Sequence, residues 1–358
     1  MTTLYKISPS GQTLQWQITA IVEGTVGTLR IVWGAINGLK QQQIIHVACN
    51  MSGRNIVEQT NLEMHSRINK QLDKGYRHSL DEAALHKGLN AANLYRPMLA
   101  QKYANVAQSI DAKKYKIQYK YDGHRCLITR VDDELIAYSR NGKPITTIDH
   151  ILQDIDIPEG AVLDGELYIH GQPLQKISSI VRRKQSDNKE LKYVLFDQIC
   201  DLPFEARFDG LHKYKYNSAN VIIAPTADCE TSVLTGDMIR ELAMSKGYEG
   251  FILRHNKLGY EPGKRSYQVL KAKVPDSNEF EIVDITPSKD GWGILTCKFD
   301  NGTFNVSAPG TFDSKKDFLV NKEKFIGRKI TVEYFNTTID GTPFHPVAIA
   351  NLRDSELE

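Results

Sequence analysis

A lysine followed closely by an acid, a glycine and an arginine ends a strand-like run in the middle of the chain. In YKIQYKYDGHRCLI (residues 115–128), apolar and polar residues alternate up to Lys120, which predicts a β-strand. Asp122-Gly123 then predicts a hairpin turn, with Arg125 in the next strand. A neutral lysine amine can act as a nucleophile. Taken alone, however, the pattern is more typical of an ordinary surface hairpin, so the prediction depends on which other groups converge on Lys120.

Later segments also bring charged or aromatic residues to apolar runs. They are YSRNGKPI, AVLDGELYI, YVLFDQI, YEGFILRH and GKRSYQVLKAK. Their candidate residues are Arg140 at an Asn-Gly turn, Asp164 with Glu166 on one strand face, Phe196, Glu249, and Lys271 with Lys273 on another strand face. Two acids on a buried strand need a cation or a metal as partner. Singly each residue has an ordinary structural explanation, but together they predict one cleft that binds anions and a divalent metal.

Length and composition limit the class of protein. A chain of 358 residues predicts two or three domains, and 41% hydrophobic with 25% charged residues is typical of a globular protein. No apolar run has the length of a membrane span, and the N-terminus lacks a signal pattern. Five scattered cysteines favour a reducing compartment. We therefore expect a cytoplasmic protein with no membrane partner. Its net charge of +2 requires any nucleic-acid surface to be local.

Three blocks with different patterns follow one another along the chain. Residues 1 to about 50 predict strands, followed by a helix with Met64, Ile68 and Leu72 on one face and a stop at Gly75. A short helix capped by Ser79 and ending at Gly88 comes next. From about 100 to 273, longer strands alternate with short helices, and afterwards short, evenly spaced strands predict a small β-barrel. The predicted fold class is α+β.

The ordered series KYDGHR, SRNG, LDGELYIHG, YVLFD, EGFILR and LKAK resembles the nucleotidyltransferase motifs of ATP-dependent DNA ligases. YRPMLAQKY resembles the entry to that family's adenylation domain, and DSNEFEIVDITPSKDGWG resembles the start of its oligonucleotide-binding barrel. The resemblance extends over residues 95 to 358 and is greatest to the small phage and viral members. It implies an adenylation domain at 95–273 and an OB-fold barrel at 274–358, preceded by a β-rich module at 1–88.

The same resemblance implies a role for each candidate residue. Lys120 is the nucleophile that becomes adenylylated, Gln118 contacts the adenine edge, and Phe196 stacks on the adenine. The remaining roles are ribose and nick contacts for Arg125 and Glu166, phosphate contacts for Arg140 and Arg265, metal binding for Glu166 and Glu249, α-phosphate contacts for Lys271 and Lys273, and a place beside the reacting groups for Asp122.

The chemistry calls for these residue types independently. A free lysine has a pKa of about 10.4, and nearby cations and a bound metal favour its neutral form. Phosphoryl transfer needs charge neutralisation on the phosphate oxygens, and carboxylates suit Mg²⁺, with Mn²⁺ as a substitute. We therefore expect ATP and Mg²⁺ as cofactors, nicked duplex DNA as the partner, and a monomer in the cytoplasm, which is the host cytoplasm if the gene is a phage gene.

Two segments depart from the family pattern. The last ligase motif is Arg-x-Asp-Lys, whereas this chain has Arg353-Asp354 without the lysine, so the residue that orients pyrophosphate is open. The N-terminal TLRIVWGAING resembles a WGR-type DNA-binding module, although Ala35 replaces its arginine, and an unrelated β-domain is the alternative. If this block binds the duplex backbone, its basic candidates are Arg30, Lys40 and Arg54.

Three other functions remain open at this point. RNA ligases and messenger-RNA capping nucleotidyltransferases share the Lys-x-Asp-Gly motif. A DNA-end-binding scaffold with an inactive transferase fold is the non-enzymatic alternative, and the intact set of Lys120, Glu249, Lys271 and Lys273 argues against it.

Overall fold

The computed structural model describes residues 1–8, 11–49, 52–87, 89, 93–216, 219–338 and 340–353. The chain divides into two compact units, Met1–Ala272 and Lys273–Glu358. Among the helices of the described ranges, none is both long enough and apolar enough to cross a membrane.

The first unit begins with a four-stranded antiparallel sheet. Its strands, hydrogen-bonded in chain order, are β1 (Thr2–Ile7), β2 (Thr13–Glu23), β3 (Val26–Ala35) and β4 (Lys40–Val47). Alternate side chains on one face form its core, as the period of two predicts: Leu4, Trp16, Ile18, Leu29 and Ile31. The strands predicted for residues 1 to about 50 are therefore confirmed.

Helix α1 (Ile56–Asp73) covers this core. It begins at a complete capping box, in which Asn55 and Glu58 each accept a hydrogen bond from the other's backbone amide. Ile68 is buried against the sheet, and Met64 and Leu72 pack beside it. The chain leaves the helix through Gly75, whose φ of +87° a residue with a Cβ rarely adopts. The predicted helix and its stop are confirmed.

A shorter helix, α2 (Leu80–Leu85), follows. The Ser79 side chain caps it by accepting from the Glu82 amide, as predicted. The Glu82 carboxylate accepts from the His78 amide, one residue before the N-cap. The helix ends at Leu85, and its predicted end at Gly88 lies outside the described residues.

The rest of the first unit contains two five-stranded sheets and short helices. The strands are β5 (Leu99–Lys102), β6 (Tyr115–Lys120), β7 (His124–Val131), β8 (Glu134–Ser139), β9 (Ile155–Asp156), β10 (Val162–Tyr168), β11 (Lys192–Gln198), β12 (Lys215–Tyr216), β13 (Val221–Ile223), β14 (Thr226–Asp228), β15 (Gly250–His255) and β16 (Arg265–Ala272). The helices are α3 (Asp149–Leu152), α4 (Leu174–Arg182), α5 (Phe204–Leu211) and α6 (Gly236–Leu242).

The two large sheets have the strand orders β13-β11-β10-β7-β8 and β14-β6-β15-β16-β5, and β9 pairs with β12 separately. The pairings β11–β13 and β5–β16 are parallel, and the other pairings in these sheets are antiparallel. Helix α4 buries Ile177, Ile180 and Val181, at the spacing of one helical face, in the largest core of the chain.

The hairpin predicted at Asp122-Gly123 is wrong. Strand β6 pairs with β14 and β15, whereas β7 pairs with β8 and β10, so the two residues carry the chain from one sheet to the other. Gly123 serves this crossing by close packing: a Cβ there would lie 2.4 Å from the Leu167 carbonyl oxygen and 2.8 Å from Glu166 Cγ. The glycine therefore lets the chain pass directly over β10.

The second unit is a five-stranded sheet with one helix. Its elements are β17 (Asp276–Pro287), β18 (Gly293–Phe299), β19 (Gly302–Ser307), α7 (Phe312–Val320), β20 (Lys329–Tyr334) and β21 (Val347–Arg353). The sheet order is β19-β18-β17-β20-β21, in which the long strand β17 pairs with both β18 and β20. The four strands predicted here are confirmed, and β21 is an additional strand.

Candidate active site

A cavity of about 140 Å³ in the first unit is lined by six of the predicted site residues. Its lining comes from both five-stranded sheets and from the segment before β5. The predicted residues in the lining are Gln118, Lys120, Arg125, Glu166, Phe196 and Lys271. Motifs that are far apart in the sequence therefore meet around one small space, which we call the nucleotide cavity.

Lys120 is the last residue of β6 and projects into this cavity. Its backbone is paired with Gly250 of β15, and its carbonyl oxygen accepts from the Glu249 amide at 2.9 Å. The Lys120 ammonium also contacts the Glu249 carboxylate, and the two side chains are only 21% and 12% exposed. Nucleophile candidate and carboxylate are thus fixed together by the pairing of β6 with β15.

Asp164 has a full set of protein partners. It is completely buried, and its two carboxylate oxygens accept from Arg125 Nε and Nη2, both at 2.5 Å. The Tyr260 hydroxyl donates to the same carboxylate at 2.6 Å and itself accepts from the Met98 amide at 2.8 Å. Of the two acids predicted on this strand, Asp164 therefore has a cation as its partner, and it fixes the orientation of the Arg125 guanidinium.

Glu166 occupies a different environment on the same strand. It faces the nucleotide cavity and pairs across the strands with Arg125. Burial raises the pKa of its carboxyl to about 7, although Arg125 and Lys120 act in the opposite direction. The neighbouring cations therefore compensate for the burial of this carboxylate only in part.

Phe196 and Gln118 form the opposite wall of the cavity. The guanidinium carbons of Arg125 and Arg254 each lie 4.7 Å from the centroid of the Phe196 ring. Phe196 is 7% exposed, so the ring offers little free surface to a base until one of the guanidinium groups moves. The predicted adenine stacking stays a prediction.

Gln118 is 2% exposed, and its amide group is engaged in three hydrogen bonds. Its Nε2 donates to the Thr226 hydroxyl at 2.9 Å and to the Phe196 carbonyl at 3.3 Å, and its Oε1 accepts from Arg254 Nε at 2.7 Å. Its predicted contact with the adenine edge stays a prediction.

A buried ionic network lies behind this wall and was not predicted from the sequence. Asp197 accepts from Arg207 at 2.8 and 3.1 Å and from Arg254 at 3.0 Å, and all three side chains are buried. A signal was present, because Asp197 and Arg254 are charged residues inside the apolar runs YVLFDQI and GFILRH. The network orders Gln118 and Phe196 from behind.

The remaining predicted residues have different positions. Arg140 is exposed at the predicted turn, where Gly142 has a φ of +83°, and it lines a larger cavity of about 730 Å³ that shares Arg125 and Glu166 with the nucleotide cavity. Arg265, on β16, donates to the Ala100 carbonyl at 2.7 Å. Asp122 lies in the crossing between the sheets, and its charge acts on Glu166.

The prediction that Lys271 and Lys273 lie on one face of the same strand is wrong. Strand β16, which lies between β15 and β5, ends at Ala272, before Lys273. Lys273 belongs to the second unit, where its ammonium lies 3.9 Å from the centroid of the Phe335 ring. Arg353 ends β21, but its side chain lies outside the described part of the chain, as does all of Asp354.

The donor set around Lys120 fits a divalent metal that is shared with a phosphate ligand. Within the described ranges, no three His, Cys, Asp or Glu side chains are grouped as a ready-made metal cage. Mg²⁺ usually takes only one or two carboxylates and completes its shell with water and substrate phosphates. Glu249 contacts Lys120, and the charge of Lys120 acts on Glu166, so two carboxylates border the same ammonium.

Residues 97–273 match a family model described as the ATP-dependent DNA ligase domain. This part of the chain is therefore an ATP-dependent DNA ligase domain. The match contains Lys120, Glu166, Phe196, Glu249 and Lys271. The resemblance seen in the sequence is thereby confirmed, and the domain implies that the protein is an enzyme that uses ATP.

Curated relatives and solved structures agree with this family. A DNA ligase of African swine fever virus is 26% identical over 302 residues, which cover 76% of this chain and 71% of the relative. The SPbeta prophage-derived DNA ligase-like protein LigB of Bacillus subtilis is 27% identical over 202 residues, or 53% of this chain and 71% of the relative. A solved structure from a study of DNA binding by Lig E DNA ligases matches with a TM-score of 0.58 at 21% identity. The match covers 73% of this chain and 100% of the solved chain, which shows a shared fold.

Proposed function

We propose that the protein seals nicks between a 5′-phosphate and a 3′-hydroxyl in duplex DNA through a covalent AMP on Lys120. The observation that carries this proposal is the position of Lys120 within the ligase domain. It ends a central strand, lies in the nucleotide cavity with Glu166, Phe196 and Lys271, and contacts Glu249. The viral relative bears the name DNA ligase, which favours DNA as the substrate.

In the first step, Lys120 Nζ attacks the α-phosphorus of ATP, a P–N bond forms, and the P–O bond to pyrophosphate breaks. Only the neutral amine can attack. The contact with Glu249 favours the ammonium form of Lys120, and a cation held by Glu249 would instead favour the neutral amine. The proton of Lys120 leaves to solvent or to a bound phosphate oxygen.

Glu166 and Glu249 are the groups that would hold Mg²⁺, or Mn²⁺ in its place. Such an ion supplies positive charge that neutralises phosphate oxygens and lowers the pKa of a neighbouring lysine. Lys271 lines the same cavity and can contact the α-phosphate from the other strand. Lys273 is the second proposed contact to the α-phosphate.

The base and ribose are proposed to occupy the part of the cavity walled by Phe196 and Gln118, after one of the guanidinium groups has moved off the Phe196 ring. Arg125 can reach the ribose and later the nick, because its guanidinium is oriented by Asp164 and lines both adjoining cavities. In the second step AMP passes to the 5′-phosphate, and in the third the 3′-hydroxyl displaces AMP. Arg140 and Arg265 are the proposed contacts to DNA phosphates.

The domain assignment belongs to this proposal. Residues 95–273 form the adenylation domain, and the five-stranded sheet within 274–358 is the OB-fold domain, whose strand pattern of a long first strand and one intervening helix supports the assignment. Residues 1–88 form a WGR-like module, which belongs to the same compact unit as the adenylation domain. We propose that the enzyme acts as a monomer in the cytoplasm.

The decisive experiment is the mass of the purified protein after incubation with ATP or GTP and Mg²⁺. We expect one AMP adduct on Lys120, formed from ATP, which a subsequent nicked DNA duplex discharges as it is sealed. An adduct formed from GTP would favour a capping-type enzyme, and discharge by nicked RNA alone would favour an RNA ligase. An adduct on another residue would contradict the assignment of the nucleophile.

A further inference from the structure

Four cavities of the first unit adjoin one another and lead from Lys120 to the N-terminal module. The nucleotide cavity shares Arg125 and Glu166 with the cavity of about 730 Å³, which in turn shares Arg140 and Asn141 with a third of about 330 Å³. The path therefore leaves the nucleotide cavity at the side of the Arg140 turn.

The third cavity continues onto the N-terminal module. It shares Lys70, Lys74 and Arg96 with a fourth cavity of about 590 Å³ between α1 and the face of the first sheet. Both cavities belong to the compact unit Met1–Ala272, so the module and the ligase domain form their walls together. A continuous surface groove thus extends away from the proposed site of chemistry.

The charge along the outer half of this groove is strongly one-sided. The cations that line the third and fourth cavities are Lys6, Arg67, Lys70, Lys74, Arg96, Arg140 and Arg265, and we call this set the basic track. Asp73 is the one acid in the same two linings. With a net charge of +2 for the whole chain, this concentration is local. Like charges held close together repel one another, so the set requires an explanation.

Capping of helix α1 explains two of these cations. Lys6 Nζ donates to the Lys74 carbonyl at 2.7 Å, and Arg96 Nη1 donates to the same oxygen at 2.6 Å. Cations at the carbonyl end of a helix are favourable. Burial, and after it the charges of Arg96 and Lys74, lower the pKa of Lys6 to about 8.

The other cations do not serve this cap. Lys70, Lys74 and Arg140 are exposed, and their side chains have no ion pair or hydrogen bond with another part of the described chain. Arg67 lies 3.7 Å from one carboxylate oxygen of Glu63, but its Nε, like that of Arg96, is buried without a hydrogen-bond partner among the described residues. The track therefore offers unused positive charge and donors to a ligand.

We propose that the basic track binds the sugar-phosphate backbone of duplex DNA beside the nick, with Lys70 and Lys74 of the N-terminal module as direct phosphate contacts. The inference rests on the proposed function, because only a DNA-joining enzyme needs the duplex to continue from Lys120 along this groove. Extended, one-signed and sequence-independent positive charge is the surface that nucleic-acid backbones require.

The track differs from the surface that the sequence suggested. Arg30, Lys40 and Arg54 are exposed residues of the same module, yet none of them is in the lining of the four cavities. Arg30 donates to Gln42 at 3.3 Å, and Lys40 contacts the Ala35 carbonyl at 2.5 Å. These residues provide a matched control with the same change in charge.

The test compares Lys70→Ala/Lys74→Ala with Arg30→Ala/Lys40→Ala in the full chain. Binding to a nicked duplex with a non-ligatable end is measured over a range of salt concentrations. Each lost phosphate contact lowers the slope of log affinity against log salt by about 0.9. For Lys70→Ala/Lys74→Ala we expect the magnitude of this slope to fall by about 1.8, so the ratio of wild-type to variant affinity decreases about tenfold between 50 and 200 mM salt. For Arg30→Ala/Lys40→Ala we expect the wild-type slope.

Self-adenylylation by ATP separates this proposal from the proposed function. We expect both double variants to form the AMP adduct at the wild-type rate, because neither pair touches the nucleotide cavity. An unchanged slope in Lys70→Ala/Lys74→Ala, or an equal loss in the control variant, would overturn the basic track. A wild-type protein that forms no adduct would instead refute the ligase mechanism, while the salt slopes could still be measured.

Discussion

Arg254 provides the sharpest test of the network behind the nucleotide cavity. The Arg254→Met variant keeps most of the side-chain length but removes the donor to Gln118 Oε1 and one of the two cations at Asp197. A buried amide oxygen left without a donor costs about 1–3 kcal/mol, and a hydrogen bond to a charged group contributes about 1.5–3 kcal/mol. Asp197 keeps its ion pair with Arg207 in the variant. We therefore expect the free energy of unfolding to decrease by about 3 kcal/mol, in the lower part of the sum of these two ranges.

The measurement is a double-mutant cycle with Gln118→Leu, using urea unfolding of the full chain. Because Arg254 and Gln118 share a buried hydrogen bond, we expect the two losses to be less than additive, with a coupling of about 1–2 kcal/mol. If the network orients Gln118 towards adenine, Arg254→Met should also reduce the preference for ATP over GTP in self-adenylylation.

Arg207→Met is the matched control. Arg207 also pairs with the buried Asp197, but it donates to the Leu202 and Leu258 carbonyls and has no hydrogen bond to Gln118. It should therefore destabilise the protein while leaving the ATP preference and the cycle with Gln118 unaffected. Additivity of Arg254→Met and Gln118→Leu within about 0.3 kcal/mol would refute the reasoning.

Three further predictions concern single residues. Lys120→Ala should abolish AMP transfer from ATP to the protein, yet retain reduced sealing of a nick with a pre-adenylylated 5′ end. Lys120→Arg should not restore the first step, because a guanidinium stays protonated. An AMP adduct on either variant would show that the nucleophile is another residue. Glu249→Ala should slow sealing at least about 100-fold with little loss of DNA affinity, whereas full activity at ordinary Mg²⁺ would remove Glu249 from the metal site. The pKa of Lys6 is lowered from 10.5 to about 8, so unfolding takes up a proton at pH values between these two. The unfolding free energy of the wild type should therefore increase relative to that of Lys6→Gln as the pH rises from about 8 to 10.5. A difference in unfolding free energy that stays constant with pH would contradict this prediction.

The sequence predicted the elements whose signals are local. Alternating residues marked the strands of the first sheet, and Gly75 and Ser79 marked helix ends, because period and capping act within a few residues. The motif order also predicted which side chains share the nucleotide cavity, including Lys120 and Phe196.

The errors and omissions concern contacts between distant segments. An Asp-Gly pair favours a hairpin locally, but the pairing of β6 with β15 pulls Lys120 into a different sheet from Arg125. The function of Arg254 depends on Asp197 and Gln118, which are remote in sequence, and no periodic pattern reports such a contact. The basic track was not predicted for the same reason, since its cations come from two distant parts of the chain.

The position of β6 between β14 and β15 has a consequence during protein synthesis. Both partners of the strand that carries Lys120 are made more than a hundred residues later. At about 5–20 residues per second, this strand waits roughly 6–26 s for Glu249 and β15. During that time a nascent chain has no assembled nucleotide cavity and cannot trap ATP. Both edges of β6 are meanwhile unpaired, and the charges of Lys116 and Lys120 oppose its association with the strands of neighbouring nascent chains.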